Sequence, residues 1–544
     1  MRIRCVCLFA LILFTIACNE HQVDLVVHNA KIITMDDDQP TATAMAVNQG
    51  KLVSLGPSQA ILNQFSAKAY WDAKGQTITP GLIDAHAHFY QLGLGLLEVD
   101  LRGTTSKQAV IDRLLGFEPY KNATYVVARG WDQNDWDDSS WPSKADLDAY
   151  FPDTPLALQR VDGHALWVNS KALSLAGIEN TGPVPGGLIR AGEDGTPSGI
   201  LIDAPCDLVM ATIPEPTTEI STRALIDAQA TCFSLGLTGV HDAGLSREII
   251  ELIDSLHGID ALRIKIDAMV SNQEPDVTHF LESGLIDKQR LRVGSIKVYA
   301  DGALGSRGAA LRAEYSDEPG HFGAMITSIS DLESLAKRAL KAGFQVNTHA
   351  IGDSANVSVL RVYERLLKQT ENRRWRIEHA QVVPPDYIPF FSKNIIPSVQ
   401  PTHATSDMYW AEQRLGAHRM QGAYAYASLL SESGVLPLGT DFPVEYVNPM
   451  LTLYAAVSRK DVQGYPNSGF YPDEALTRME ALKGMTQWAA YANFTEDRRG
   501  SLTPGKEADF IVLDKNPMEC ALSEIPGIKV IRTYVDGVKV YGAD

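Results

Sequence analysis

Cysteine is scarce in this chain: six residues in 544, and only Cys206, Cys232 and Cys520 lie beyond residue 18. The three are scattered and show no Cys-x-x-Cys spacing, which excludes a disulfide framework. Basic charge is in deficit as well, with 48 Lys and Arg against 66 Asp and Glu, a formal charge of −18. Phosphate contacts need basic patches, so a nucleic-acid partner is not expected. The acidic surface mainly implies solubility. No low-complexity segment and no internal repeat beyond strand-helix alternation is evident. What remains is an ordinary globular composition, 45% hydrophobic and 21% charged, in a chain long enough for a large core and more than one domain.

The first residues are a separate matter. Arg2 and Arg4 precede an apolar stretch from Val6 to Ala17, too short for a stable membrane span, and then Cys18. Thr15-Ile16-Ala17-Cys18 resembles the bacterial lipobox, so residues 1–17 read as a lipoprotein signal peptide and Cys18 as the lipidated residue. A plain secretory signal is the alternative. Asn19 carries no acidic retention signal, which points to the outer membrane, periplasmic side, in a Gram-negative host.

Both ends of the chain read as short strands. Residues 23–80 alternate and turn repeatedly, and so do residues 498–544. Neither end can close a sandwich alone. Between them strands and helices alternate, with strand candidates near 82–88, 237–242, 264–270, 293–300, 344–349, 375–379, 395–400 and 435–441. Helical patterns such as Ser221–Leu235 and Leu332–Ala342 separate them. Eight such strands predict an α/β fold, a closed (β/α)8 TIM barrel over residues 81–497. The long gap after the first strand predicts an inserted subdomain at about 95–220.

Several of these strands end on a potential ligand. Leu82-Ile83-Asp84-Ala85 leads into His86-Ala87-His88, and residues two apart on a strand share a face. Two imidazoles on one face make half a metal site. Phe344–His349, Trp375–His379 and Val435–Asp441 have the same form: a short β-rich run that ends on one candidate ligand and then breaks. In a parallel barrel that end of the strand carries the active site. Alternation points Glu378, beside His379, away from the site, and it reads as structural. Lys297 lies inside the β-branched, aromatic run Ile296-Lys297-Val298-Tyr299. Burial lowers a lysine pKa, and a neutral amine can react with carbon dioxide to give a carbamate, an anionic oxygen ligand able to bridge two cations.

These segments, in this order, resemble the metal-dependent amidohydrolase superfamily. Val161–Asn169, Lys297–Gly302 with Leu304–Arg307, His349–Asp353, Ser398–His403 and Gly439–Pro443 narrow the resemblance to the amidohydrolase-3, YtcJ-like and N-substituted formamide deformylase-like branch. It covers nearly everything after residue 23. The resemblance implies that the two chain ends build one composite β-sandwich. It implies two divalent metal ions, with His86, His88 and Asp441 on the first and His349 and His379 on the second, bridged by carbamylated Lys297. Zinc suits that mixed imidazole and oxygen set, with iron and manganese as alternatives. It implies hydrolysis of an amide or formamide of a small molecule, with Asp441 as catalytic general base and then general acid. His164, Trp131, Arg307 and His403 are the substrate-side candidates, and Trp136 accompanies Trp131 as a pocket wall. A lyase, isomerase or esterase on the same site, or a non-catalytic regulatory lipoprotein that keeps the fold, are the rival readings. The oligomeric state stays open, with a homodimer among the options.

Overall fold

A computed structural model describes residues 21–118, 120, 123–160, 165–184 and 187–543. Residues 1–17, Cys18 and His164 lie outside them.

Seven parallel strands form the central sheet in chain order: Leu82–Ala87, Leu237–Leu245, Lys265–Ser271, Leu291–Tyr299, Gln345–Ala350, Trp375–His379 and Ile395–Ser398. Most of their residues are buried, the pattern of strands covered on both faces. Helices cover the outside. Thr218–Ser234 opens on Thr217, whose hydroxyl accepts from the Ile220 N–H. Ile329–Ala342 opens on Ser328 in the same way and stops at Gly343, which takes the left-handed conformation at φ 83°.

The eighth expected strand, 435–441, is reduced to a short bridge. Leu438 pairs in parallel with Val399 of the seventh strand. The Ala85 N–H donates to the Leu438 carbonyl, and the Asp441 N–H to the His86 carbonyl. The segment therefore closes the ring between the last and first strands, but Pro437 has no N–H to extend a ladder. Gly439 lets the backbones meet: a Cβ there would lie 2.6 Å from the His86 nitrogen and 2.7 Å from an Asp84 carboxylate oxygen.

Strands from both chain ends share one further sheet. Thr77–Pro80 pairs antiparallel with Phe510–Leu513, which continues into Val530–Val535 and Val538–Tyr541. A second sheet holds His21–His28, Ala44–Asn48, Lys51–Gly56 and Phe65–Asp72. Val27, Met45, Ile78, Phe510 and Val512 pack in one apolar cluster, so the two ends bury each other. After the first barrel strand a seven-stranded sheet, from Val99–Asp100 to Pro197–Asp203, is built around Trp131, Trp136 and Trp167.

Candidate metal centre

Three buried carboxylates pin the backbone around the candidate ligands His86, His88, His349 and Asp441. Asp84 accepts from the His86 N–H and from the N–H and hydroxyl of Thr440, which ties the first strand to the Asp441 segment. Asp242 accepts from the N–H groups of Phe89 and Tyr90, just past His88. Asp301 accepts from Ile351, Gly352 and Ala310, just past His349. Burial pushes the carboxyls of Asp84 and Asp301 up to about 7 and that of Asp242 up to about 6, against these same hydrogen bonds. Two of the ligand residues leave the strand conformation. His379 and Asp441 have φ of 71° and 62°, values rare for non-glycine residues.

The candidate ligands converge. The His86 and His379 rings are 5.1 Å apart, those of His349 and His379 4.5 Å. His88 Nδ1–H donates to the Ala243 carbonyl at 3.1 Å, which leaves its Nε2 facing an Asp441 oxygen at 3.1 Å. His86 Nδ1 meets Glu378 at 2.7 Å, and its Nε2 lies 3.5 Å from the same Asp441 oxygen. Burial, then the Lys297 charge, push the His86 imidazole down to about 4 and that of His349 down to about 3. Burial also pushes His379 well below its ordinary value. Neutral imidazoles keep a lone pair for a cation. Asp441 is pushed up by burial, but His88 and the surrounding imidazoles outweigh this and hold it ionised.

The donor set fits a divalent cation. Donor atoms of His86, His88 and Asp441 lie within 4.8 Å of one another, and so do those of His379, His403 and Asp441. Among the described residues, buried His379 Nδ1, His403 Nε2 and Asp441 Oδ1 have no hydrogen-bond partner. Lone pairs facing a carboxylate with no proton between them are an arrangement a cation resolves. His349 stands slightly apart, its Nε2 3.4 Å from the Gly302 carbonyl.

Lys297 is buried to 1% exposure. Its Nζ lies 2.9 Å from His86 Nε2, and no carboxylate oxygen among the described residues comes within 4.0 Å. Desolvation pushes its pKa down to about 8, against the pull of Glu378 and Asp441.

The other sequence candidates are placed differently. His403 joins the cluster, its ring stacked on His379 at 5.7 Å and its Nε2 3.8 Å from Asp441. Trp131 is fully buried in the insert, its indole N–H donated to the Leu158 carbonyl at 2.7 Å and its ring against Trp136 and Trp167. It packs that core and has no exposed face for a ligand. Arg307 pairs with Asp317 and Glu318. Glu378, which sequence alternation points away, instead reaches His86. Arg376 and Glu378 are the pair directed into the barrel; His379 is brought to the ligand cluster by its left-handed backbone, a feature that alternation alone does not reveal.

The comparisons agree with this geometry. The amidohydrolase family model matches residues 70–541. YtcJ of Bacillus subtilis is 30% identical over 525 residues, covering 94% of this chain and 98% of its own. N-substituted formamide deformylase of Arthrobacter pascens is 27% identical over 548 residues, covering 95% and 98%. An uncharacterized metal-dependent hydrolase from Pyrococcus horikoshii superposes with a TM-score of 0.78 at 28% identity, over 92% of this chain and 99% of that one. A parallel barrel with imidazole and carboxylate donors gathered at its mouth, and a family match over most of its length, make this chain a metal-dependent hydrolase of the amidohydrolase family.

Proposed function

We propose that the chain hydrolyses a carbon–nitrogen bond other than a peptide bond in a small amide or formamide. His86, His88, His349, His379, Asp441 and carbamylated Lys297 would hold two divalent ions, zinc foremost. The observation that carries this reading is Lys297: a buried amine 2.9 Å from the His86 imidazole, with no carboxylate oxygen within 4.0 Å among the described residues and a pKa pushed down to about 8 by burial. The metals would supply a polarised carbonyl and a water of lowered pKa. Asp441, whose carboxyl pKa lies well below its ordinary value, would take a proton from the attacking water and pass it to the leaving nitrogen. His403, 3.8 Å from Asp441, would be a second substrate-side or supporting group. The name of the Arthrobacter relative supports an N-substituted formamide as the first substrate to try. We also propose the lipid tether at Cys18 and an outer-membrane, periplasmic address.

Metal analysis of the purified protein, then a screen of formamides, N-acyl amines, cyclic amides, esters and phosphoesters, tests the function. Two metals per chain and turnover confined to carbon–nitrogen substrates are expected. Turnover of esters or phosphoesters alone would replace the reading with a related hydrolase. The tether is tested separately: Cys18→Ser should release the protein from the membrane fraction, and a wild-type protein that is already freely soluble after export would refute it.

A further inference from the structure

Below the ligand cluster the barrel holds a charged chain rather than an apolar core. Glu378 is fully buried. One of its carboxylate oxygens lies 2.7 Å from His86 Nδ1, and the other pairs with Arg376 Nε at 2.7 Å. Arg376, 1% exposed, is itself held from three further strands, its Nη2 donating to Met269 Sδ of the third strand at 3.3 Å. Its Nη1 lies 2.7 Å from His241 Nδ1 on the second strand. Turned so that its oxygen faces the guanidinium, the Asn347 amide of the fifth strand accepts from Nη2 at 3.0 Å. Five strands thus meet at one carboxylate-guanidinium pair, and the pair ends on a single atom of a single candidate ligand.

We infer that Glu378, braced by Arg376, is the positioning residue that fixes the ring orientation and tautomer of His86. The inference deepens the two-metal reading above and rests on it for its consequence. The two nitrogens of the His86 ring face different surroundings. His86 Nε2 faces Lys297 at 2.9 Å and Asp441 at 3.5 Å, the side where a cation would sit. Among the described residues Nδ1 has the carboxylate as its one hydrogen-bond partner. An ionised carboxylate accepts and cannot donate, so the proton of a neutral His86 belongs on Nδ1 and the lone pair on Nε2. Glu378 has the Arg376 guanidinium on one oxygen at 2.7 Å and His86 Nδ1 on the other at 2.7 Å, so its carboxylate is placed as the acceptor of both. The brace matters because a carboxylate free to rotate could not hold the ring. A buried ion pair serving only stability would need no contact with a ligand imidazole.

The test uses full-length protein with Glu378→Gln and Glu378→Asp. The metal-free wild type, with labelled histidine, reads the proton position by imidazole nitrogen NMR. His86 should carry its proton on Nδ1, and Glu378→Gln should give mixed tautomers. Metal affinity should fall roughly 10–100-fold in Glu378→Gln, with kcat reduced more than KM, and Glu378→Asp should recover part of both. If Glu378→Gln does not fold because Arg376 is left unpaired, the Arg376→Met, Glu378→Gln double variant removes the charge pair together. That variant should fold and still show the mixed tautomer. A wild-type His86 protonated on Nε2 overturns the inference. So does a folded Glu378→Gln that binds metal as the wild type does. A wild type that binds no metal at all sinks the two-metal reading instead, while the tautomer measurement still stands by itself.

Discussion

Two buried lysines occupy neighbouring strands of one barrel and meet opposite surroundings. Lys265 begins the third strand, at the barrel floor, and Lys297 lies near the end of the fourth, at the mouth. Lys265 Nζ has three carboxylates around it: Glu507 at 2.5 Å, Asp509 at 2.6 Å and Asp536 at 2.9 Å. Burial alone would lower its pKa, but those charges outweigh it and raise the value above the ordinary 10.5. Lys297 has an imidazole in contact and a value pushed down to about 8. Burial is equal in the two cases. The partners decide: a caged ammonium stays charged and fastens the C-terminal strands to the barrel, and an uncaged one is free to become a nucleophilic amine. Glu507, Asp509 and Asp536 also form a cluster of metal-ligand type, but Lys265 already fills their centre with positive charge.

Replacing each lysine in turn should split function from stability. The largest effect expected is that of Lys297→Ala: loss of most turnover, and metal content falling from two towards one or none. Added short carboxylic acids should restore some of both, because the missing group is a carboxylate. Near-wild-type turnover with two metals would return Lys297 to a structural role. Lys265→Met should act the other way round, leaving three carboxylates without a cation. Breaking a buried pair on one side costs about 3–5 kcal/mol, to be read from denaturant unfolding. Metal stoichiometry in the folded fraction should stay at two, and a variant that loses metal before it loses fold would erase the contrast.

The smallest effect is the pH dependence of the metal-free protein, where the two residues carry opposite signs. The folded value of Lys297 lies below its unfolded one, so the folded state binds fewer protons between about pH 8 and 10.5, and its stability should rise across that window. Lys265 is raised, so its contribution is complete below about 10.5 and is lost as pH climbs through the folded value. Unfolding midpoints measured from pH 8 upward should lose the rise in Lys297→Met and the alkaline fall in Lys265→Met. Identical profiles for both variants would mean that neither environment is as described.

The same contrast shows what the sequence carries. The alternating strands and their order are legible in it, because a parallel barrel writes each strand as a short β-rich run and each candidate ligand as the residue where the run stops. His86, His88, His349, His379 and Asp441 all stand at such stops. Lys297 is legible as a charge inside an apolar run. Lys265, in the equally apolar Lys265–Ser271, gives the same signal, and only its partners, more than 240 residues away in the chain, separate the two. The shortened eighth strand is written in Pro437. The role of Glu378 is hidden, since strand alternation assumes extended backbone and His379 leaves it. Trp131 is ambiguous for a different reason: an aromatic segment in an insertion looks the same whether it walls a pocket or fills a core.

The claim on which the account turns is that Lys297 becomes a carbamate. Carbon NMR of metal-loaded protein equilibrated with isotope-labelled bicarbonate addresses it directly, with Lys265→Met and Lys297→Ala measured beside the wild type. The account predicts one carbamate signal per chain in the wild type and in Lys265→Met, and none in Lys297→Ala. A metal-loaded, active wild type with no such signal, or a signal that survives in Lys297→Ala, would contradict it.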